Sequence, residues 1–158
     1  MKSTILAGLA LGIAGFALAG CGGGASDADQ TAAAPEGFPG ITVSDGRLML
    51  PAVKGNPGAV YFEVDYSGDD IAVIRAASVE GAKSAVLHDT DNGQMKEMLT
   101  VTVEKGTPLK FEPGGKHVMV MGLPDTMKAG DTANVTLTFL GGDKFTFPAK
   151  VEPAGSEK

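Results

Sequence analysis

Apolar and polar residues alternate along most of the chain after residue 38, and this period of two predicts β-strands. In AVYFEVDY every second residue from Val60 to Tyr66 is apolar, and LTVTVEKG repeats the pattern. The stretch NVTLTFLGGDKFTFPAKV alternates on both sides of Gly141-Gly142, which predicts a hairpin. Further predicted strands are ITVS, RLMLPAV, IAVIRAAS, SAVLH, PLKFEP and KHVMVMG. Since no segment has the apolar period of a long amphipathic helix, the sequence predicts an all-β domain, an antiparallel β-sandwich.

The first 21 residues follow a different pattern, in which Lys2 precedes an apolar run from Ile5 to Leu18, two small residues and Cys21. This is the layout of a secretory signal peptide, and the run is shorter than the roughly 20 residues that span a bilayer. The letters LAGC resemble a bacterial lipobox, in which the cysteine is acylated and becomes the mature N-terminus. Because the chain has one cysteine and it lies at this boundary, we predict a lipoprotein signal peptide at 1–20 and lipidation of Cys21. The alternative is a plain signal peptide that leaves a free thiol.

The segment after the cysteine, GGGASDADQTAAAPEG, is made of small and acidic residues and cannot bury enough apolar surface to fold. We predict a flexible tether at 21–37, a folded domain at 38–153 and a short tail at 154–158. Several acyl chains on Cys21 would anchor the protein stably to a membrane. The expected location is therefore the periplasmic side of the cell envelope, on either the inner or the outer membrane.

Charge and cysteine content limit the classes of partner and site. Removal of 1–20 takes away one lysine and no acid, which leaves 12 basic against 19 acidic groups and a net charge of −7. This charge argues against nucleic acid or an anionic lipid surface as a partner. The folded domain has no cysteine, so it can hold neither a disulfide nor a thiolate metal site.

Both histidines of the chain and four of its methionines fall within 34 residues. Each alone has a common structural explanation, because histidine is often a satisfied core or surface residue and methionine fills irregular gaps in cores. Their concentration in one β-domain indicates a metal site instead. On a strand, the first, third and fifth residues of HVMVM would share one face. The clustered residues are His88, Met95, Met98, His117, Met119 and Met121.

Thioether sulfur is a soft ligand and imidazole a borderline one, so this set favours Cu(I) over Zn²⁺ and offers nothing to Mg²⁺ or Ca²⁺. A blue-copper electron-transfer centre needs a cysteine thiolate, which the folded domain lacks. The set is therefore suited to holding Cu(I) and passing it on. No arrangement of Ser, His and Asp supports nucleophilic catalysis, and we expect the protein not to be an enzyme.

Several segments resemble the PCuAC family of periplasmic copper chaperones, above all EPGGKHVMVMGL, together with ITVSDGRLMLPAVKGNPGAVYFEV and AGDTANVTLTF. The resemblance implies a cupredoxin-like Greek-key β-sandwich with a His…Met…His-x-Met ligand pattern. Placed on this sequence, the pattern implies that Cu(I) is bound by His88, Met95, His117 and Met119. The family spacing between the middle methionine and the second histidine selects Met95, whereas the segment after His88 is shorter than the pattern. Met98 is therefore kept as a substitute ligand, and Met121 as an additional one.

The resemblance also implies delivery of copper to an acceptor protein, either the copper subunit of a cytochrome c oxidase or another copper chaperone. Such a site should weaken as the pH falls, because imidazole must lose its proton to bind a metal. One alternative is a copper-buffering or resistance lipoprotein with the same ligands and no dedicated client. The other is a β-sandwich interaction module in which the histidines and methionines are simply part of the core.

Overall fold

The computed structural model describes residues 37–156, and this part of the chain consists of strands joined by turns. No helix within it has the length and hydropathy needed to span a bilayer. The predicted signal peptide at 1–20, the lipidation of Cys21 and the tether as far as residue 36 lie outside the described residues. The strands are β1 Ile41–Met49, β2 Gly58–Tyr66, β3 Ala72–Val79, β4 Ser84–Asp91, β5 Gln94–Glu97, β6 Val101–Val103, β7 Leu109–Phe111, β8 His117–Met121, β9 Thr132–Phe139 and β10 Lys144–Glu152.

The strands are hydrogen-bonded in the order β5-β4-β8-β2-β1-β10-β9-β3-β6, and β7 also pairs with β2. Among the described strands every pair is antiparallel except β1 with β10, which is parallel. The predicted strands ITVS and RLMLPAV form one strand, β1, with a bulge between Ser44 and Arg47, and it ends at Met49 rather than continuing to Val53. Asp45 adopts a φ of 53° in this bulge. The prediction of an all-β, mainly antiparallel fold is confirmed.

The sandwich core is formed by the alternate apolar residues that the sequence predicted. Val60 and Phe62 of β2 and Val118 of β8 are buried in one cluster with residues of β9 and β10. The ring centroids of Phe62 in β2 and Phe147 in β10 lie 5.0 Å apart, so the two strands that flank β1 meet through their side chains in this core. Each such side chain contributes about 1.5–3 kcal/mol by leaving water. The intervening residues of β2, β8 and β4 lie on the opposite face of their sheet.

The hairpin between β4 and β5 turns at Asn92-Gly93, where both residues have positive φ values, 51° and 76°. These values are those of a two-residue type I′ turn, for which Asn-Gly is the preferred sequence. The stretch DTDNGQ, which is shorter than the family pattern implies, contains the end of β4, this turn and the first residue of β5. The turn fixes the register of the hairpin, in which Asp91 pairs with Gln94 and Thr90 with Met95.

The segment after β5 connects the two ends of the strand order. It leaves β4, near one end, and joins β3, near the other end. Met98 still donates its backbone N–H to the carbonyl of Leu87, whereas Val101 pairs with Ile74. The predicted strand LTVTVEKG is therefore shorter than expected and begins at Val101. Leu99, which was expected on the apolar face of that strand, lies in the crossover and is 81% exposed.

Candidate metal centre

The outer face of β5, β4, β8 and β2 carries the histidines and most of the clustered methionines. His88 of β4 lies directly opposite His117 of β8. Met119, two residues along β8, lies between Val86 of β4 and Ala59 of β2. Directly opposite residues of antiparallel strands share a face, so these side chains project to the same side. The pairing of β4 with β8 thus brings the two histidines together from positions 29 residues apart in the sequence.

The two imidazole rings stack with their centroids 5.8 Å apart and their planes inclined by 16°. The Nδ1 atom of His88 lies 3.3 Å from the carbonyl oxygen of Val86, and that of His117 lies 3.0 Å from the carbonyl oxygen of Gly115. A carbonyl oxygen can only accept, so each Nδ1–H is the donor. Each ring is therefore oriented by the carbonyl two residues before it. The Nε2 lone pair is left available for a metal ion.

Met95 and Met98 are placed in different surroundings. The β4–β5 hairpin puts Met95 opposite Thr90, on the same face as His88, and its side chain is 53% exposed. Met98 is partly buried and packs against the sandwich core. The fold therefore brings Met95 to the face of the two histidines and directs Met98 elsewhere. Met121 lies on the histidine face opposite Ser84, at the far end of β8 from His117, and is exposed.

A cleft of about 540 Å³ opens on this face. His117, which is only 6% exposed, forms part of its wall together with Met95 and Met119. The ring of Tyr61 lies 6.4 Å from that of His117 and lines the same cleft. Met49 of β1, which lies outside the sequence cluster of histidines and methionines, lines it as well. The order of β1, β2 and β8 brings Met49 there, and no local pattern in the sequence indicates it.

Carboxylates do not complete a site here. Within residues 37–156 no group of three or more His, Cys, Asp or Glu side chains is placed to hold a metal ion. Glu97 pairs with His88 in register, but its side chain forms no such group with the two histidines. Lys116 and Asp89, the neighbours of the histidines, form an ion pair of 3.2 Å with each other. The donors that the face offers are thus neutral imidazole nitrogens and thioether sulfurs, a combination suited to a soft ion such as Cu(I).

Comparison with known proteins identifies relatives of this chain. The family model described as "Putative lipoprotein LpqE-like" matches residues 41–151. A protein of Leifsonia xyli subsp. xyli described as "Putative lipoprotein Lxx21020" is 32% identical over 108 residues. That match covers 65% of this chain and 64% of the relative, so the chain spans somewhat less than two thirds of the relative's length.

The solved structures most useful for comparison are PCuAC domains. The copper-bound PCuAC domain of PmoF2 is 19% identical with a TM-score of 0.63, and covers 76% of this chain and 98% of its own. The apo PCuAC domain of PmoF1 is 22% identical with a TM-score of 0.65, covering 76% and 99%. The Cu(I) form of DR1885 from Deinococcus radiodurans is 24% identical with a TM-score of 0.62, covering 77% and 83%. At these identities the likeness shows the fold, a cupredoxin-like β-sandwich.

Proposed function

This chain belongs to the LpqE-like lipoprotein family, and we propose that it is an extracytoplasmic chaperone that holds one Cu(I) ion and delivers it to another protein. The ligands in this proposal are His88, Met95, His117 and Met119. Copper is the cargo of such a protein, and no catalytic role is proposed for any residue.

The observation that carries the proposal is the pairing of His88 with His117 on adjacent strands. With both Nδ1–H groups donating to backbone carbonyls, two Nε2 atoms are free on one face. Met119 follows His117 on that face, and the β4–β5 hairpin adds Met95 from the other side. Three neighbouring strands thus supply two imidazoles and two thioethers to one region of the surface. The copper-bound forms of PmoF2 and DR1885, which share the fold, support the assignment of the ion.

Neutral ligands suit transfer of the ion. Thioether sulfur retains Cu(I) in preference to harder ions, and the folded domain has no thiolate to hold it more strongly. Met95 is the most exposed of the four proposed ligands, whereas His117 is buried. A ligand of the acceptor would therefore displace Met95 first, while His117 and Met119 still hold the ion. Exchange through such a shared intermediate avoids release of free Cu(I).

The proposed acceptor is the copper subunit of a cytochrome c oxidase or another copper chaperone. Acylated Cys21 would hold the protein on the periplasmic side of the cell envelope, with the segment 21–37 as a tether. The net charge of −7 after removal of the leader agrees with a protein that binds no nucleic acid.

The test is a Cu(I) titration under anaerobic, reducing conditions, in competition with a chromophoric chelator. All variants carry Cys21→Ser, because a free thiol would itself bind Cu(I). We expect one tight equivalent, and we expect His88→Ala to weaken it by at least about tenfold. A surface substitution away from the cleft, Ser67→Ala, is the matched control. Absence of stoichiometric binding would contradict the proposal.

Delivery requires a second measurement. The copper-loaded protein is mixed with the apo copper domain of an oxidase, and the transfer rate is compared with the rate of Cu(I) loss to a chelator alone. We expect a transfer rate that rises with acceptor concentration, as direct exchange requires. A rate equal to that of spontaneous loss would mean that the protein buffers copper and delivers it to no dedicated client.

A further inference from the structure

Met49 is buried without being part of the sandwich core. Its side chain is 2% exposed, yet it is absent from the cluster of apolar residues that fills the space between the two sheets. It lies instead on the outer face of the sheet and lines the cleft with His117 and Met119. A methionine in this position is not needed to fill the core, so another role has to account for it.

The register of three strands aligns Met49 with one of the proposed ligands. Ala59 of β2 pairs with Met49 of β1 on one side and with Met119 of β8 on the other. The two methionines are separated by two strand spacings, about 10 Å between their backbones. Ala59 between them is small, and a methionine side chain has three rotatable bonds. Both thioethers can therefore lean over Ala59 towards each other.

The sulfur of Met49 faces the cleft side of the sheet. Its Sδ atom lies 3.7 Å from the hydroxyl oxygen of Ser156, and Ala154 and Gly155 of the same segment line the cleft. Ser156 also has a shorter contact of 2.9 Å, in which its hydroxyl donates to the carbonyl oxygen of Pro153. The C-terminal segment thus covers Met49 by a weak contact, and that contact can be exchanged for a metal–sulfur bond.

We propose that the cleft contains a second position for a soft monovalent cation, in which the sulfurs of Met49 and Met119 hold the ion above Ala59. This inference rests on the proposed function, because Met119 belongs to both positions. Two cations a few ångströms apart repel each other, so one ion occupies one position at a time. The Met49–Met119 pair offers fewer donors than the histidine site. It is therefore a weaker position, from which the ion enters or leaves the histidines.

The experiment uses the full chain with Cys21→Ser and ¹³C-labelled methionine methyl groups, in neutral detergent. Ag(I) serves as the probe, since it is soft like Cu(I) and is not oxidised by air. In the His88→Ala variant, which weakens the histidine site, we expect Ag(I) to shift the methyl resonances of both Met49 and Met119. The resonance of Met127, which packs against the core and lines a different cavity, should stay in place.

Affinity gives the second readout. Adding Met49→Leu to His88→Ala should weaken the residual Ag(I) binding by about tenfold. Adding Met127→Leu to His88→Ala is the matched control and should leave it unchanged. Equal binding by His88→Ala with and without Met49→Leu would overturn the inference. So would a Met49 methyl resonance that stays fixed while that of Met119 moves.

The two proposals fail in distinguishable ways. If the chain with an intact His88 binds no Ag(I), the histidine site and the second position are both wrong. If it binds one equivalent through His88 while Met49 does not respond in His88→Ala, only the second position is wrong. Should Met49→Leu prevent folding, the methyl resonance of Met49 in His88→Ala decides alone.

Discussion

His88 and His117 are direct partners in the β4–β8 ladder, and each donates its Nδ1–H to the carbonyl oxygen of the residue two positions earlier. The rings stack with centroids 5.8 Å apart. The backbone of two neighbouring strands therefore sets both the position and the tautomer of the pair. A site built in this way depends on strand register more than on the conformation of loops.

The tautomer can be tested directly. With both imidazoles neutral, ¹⁵N NMR of the metal-free protein should show a proton on Nδ1 and a lone pair on Nε2 for both His88 and His117. On addition of Ag(I), the Nε2 resonances should move more than the Nδ1 resonances. A proton on Nε2 in either residue would mean that the carbonyl contacts do not orient the rings.

Met95 and Met98 should respond to substitution in opposite ways. Met95→Ala should weaken Cu(I) binding by at least about tenfold, because a proposed ligand is lost. It should change the free energy of unfolding by less than about 0.5 kcal/mol, because the side chain is exposed. Met98→Ala should leave Cu(I) affinity intact and cost about 2 kcal/mol of stability, because Met98 packs against the core.

Chelator competition and urea denaturation of the two variants provide these measurements. The conservative variants Met95→Leu and Met98→Leu separate loss of sulfur from loss of volume. Weak copper binding by Met98→Leu, with Met95→Leu unaffected, would reverse the assignment of the ligand.

The Asn92-Gly93 turn should matter for both stability and metal binding. Gly93 has a φ of 76° with open space around its Cα, so Gly93→Ala meets no neighbour and is opposed only by its backbone conformation. We expect a loss of about 1 kcal/mol in the free energy of unfolding. Gly115→Ala is the control, since Gly115 does not have a positive φ and a Cβ there would make ordinary contacts at 3.7 Å.

Gly93→Ala also tests how Met95 is positioned. If the turn sets the hairpin register, Gly93→Ala should weaken Cu(I) binding, whereas Gly106→Ala, at a glycine with a φ of 73° that does not line the cleft, should not. Equal stability of Gly93→Ala and Gly115→Ala, measured by urea denaturation, would show that the strain at Gly93 is relieved elsewhere in the hairpin.

The aromatic packing around Phe62 predicts where the fold is most sensitive to substitution. Phe62 is buried between Phe111, at a centroid distance of 4.3 Å, and Phe147, at 5.0 Å. Phe62→Ala should cost about 3–5 kcal/mol of stability. Ile71→Ala, at an exposed apolar position, should stay within about 0.5 kcal/mol of the unchanged protein. A calorimetric comparison of unfolding would check both, and a small loss for Phe62→Ala would contradict the described packing.

Alternation along the chain predicted the strands because side chains on the two faces of a sheet meet different surroundings. It predicted the inward Val118 and Val120 and the shared face of His117 and Met119. It also predicted the hairpin at Gly141-Gly142, where Gly142 adopts a φ of 96°. These are local properties, and a single sequence contains them.

Features that depend on pairing between strands distant in sequence could not be predicted from the alternation of apolar and polar residues. The parallel pairing of β1 with β10 and the position of Met49 beside Ala59 follow from the strand order, which has no local signal. The hairpin at Asn92-Gly93 did have one, since Asn-Gly favours a type I′ turn. The short spacing between His88 and Met95 drew attention away from this turn signal. Compared with the family pattern, the segment is only a shortened one, and its pairing as two strands becomes evident in the structure.

The position of the C-terminal segment has a practical consequence. Ala154 and Gly155 line the cleft, so a polyhistidine tag attached a few residues after them would have its imidazoles within reach of the cleft. The tagged protein would bind copper whether or not the native residues do. Phe38, by contrast, packs against Tyr66, about 23 Å along β2 from Ala59. A purification handle before Phe38 would leave the cleft free of added ligands.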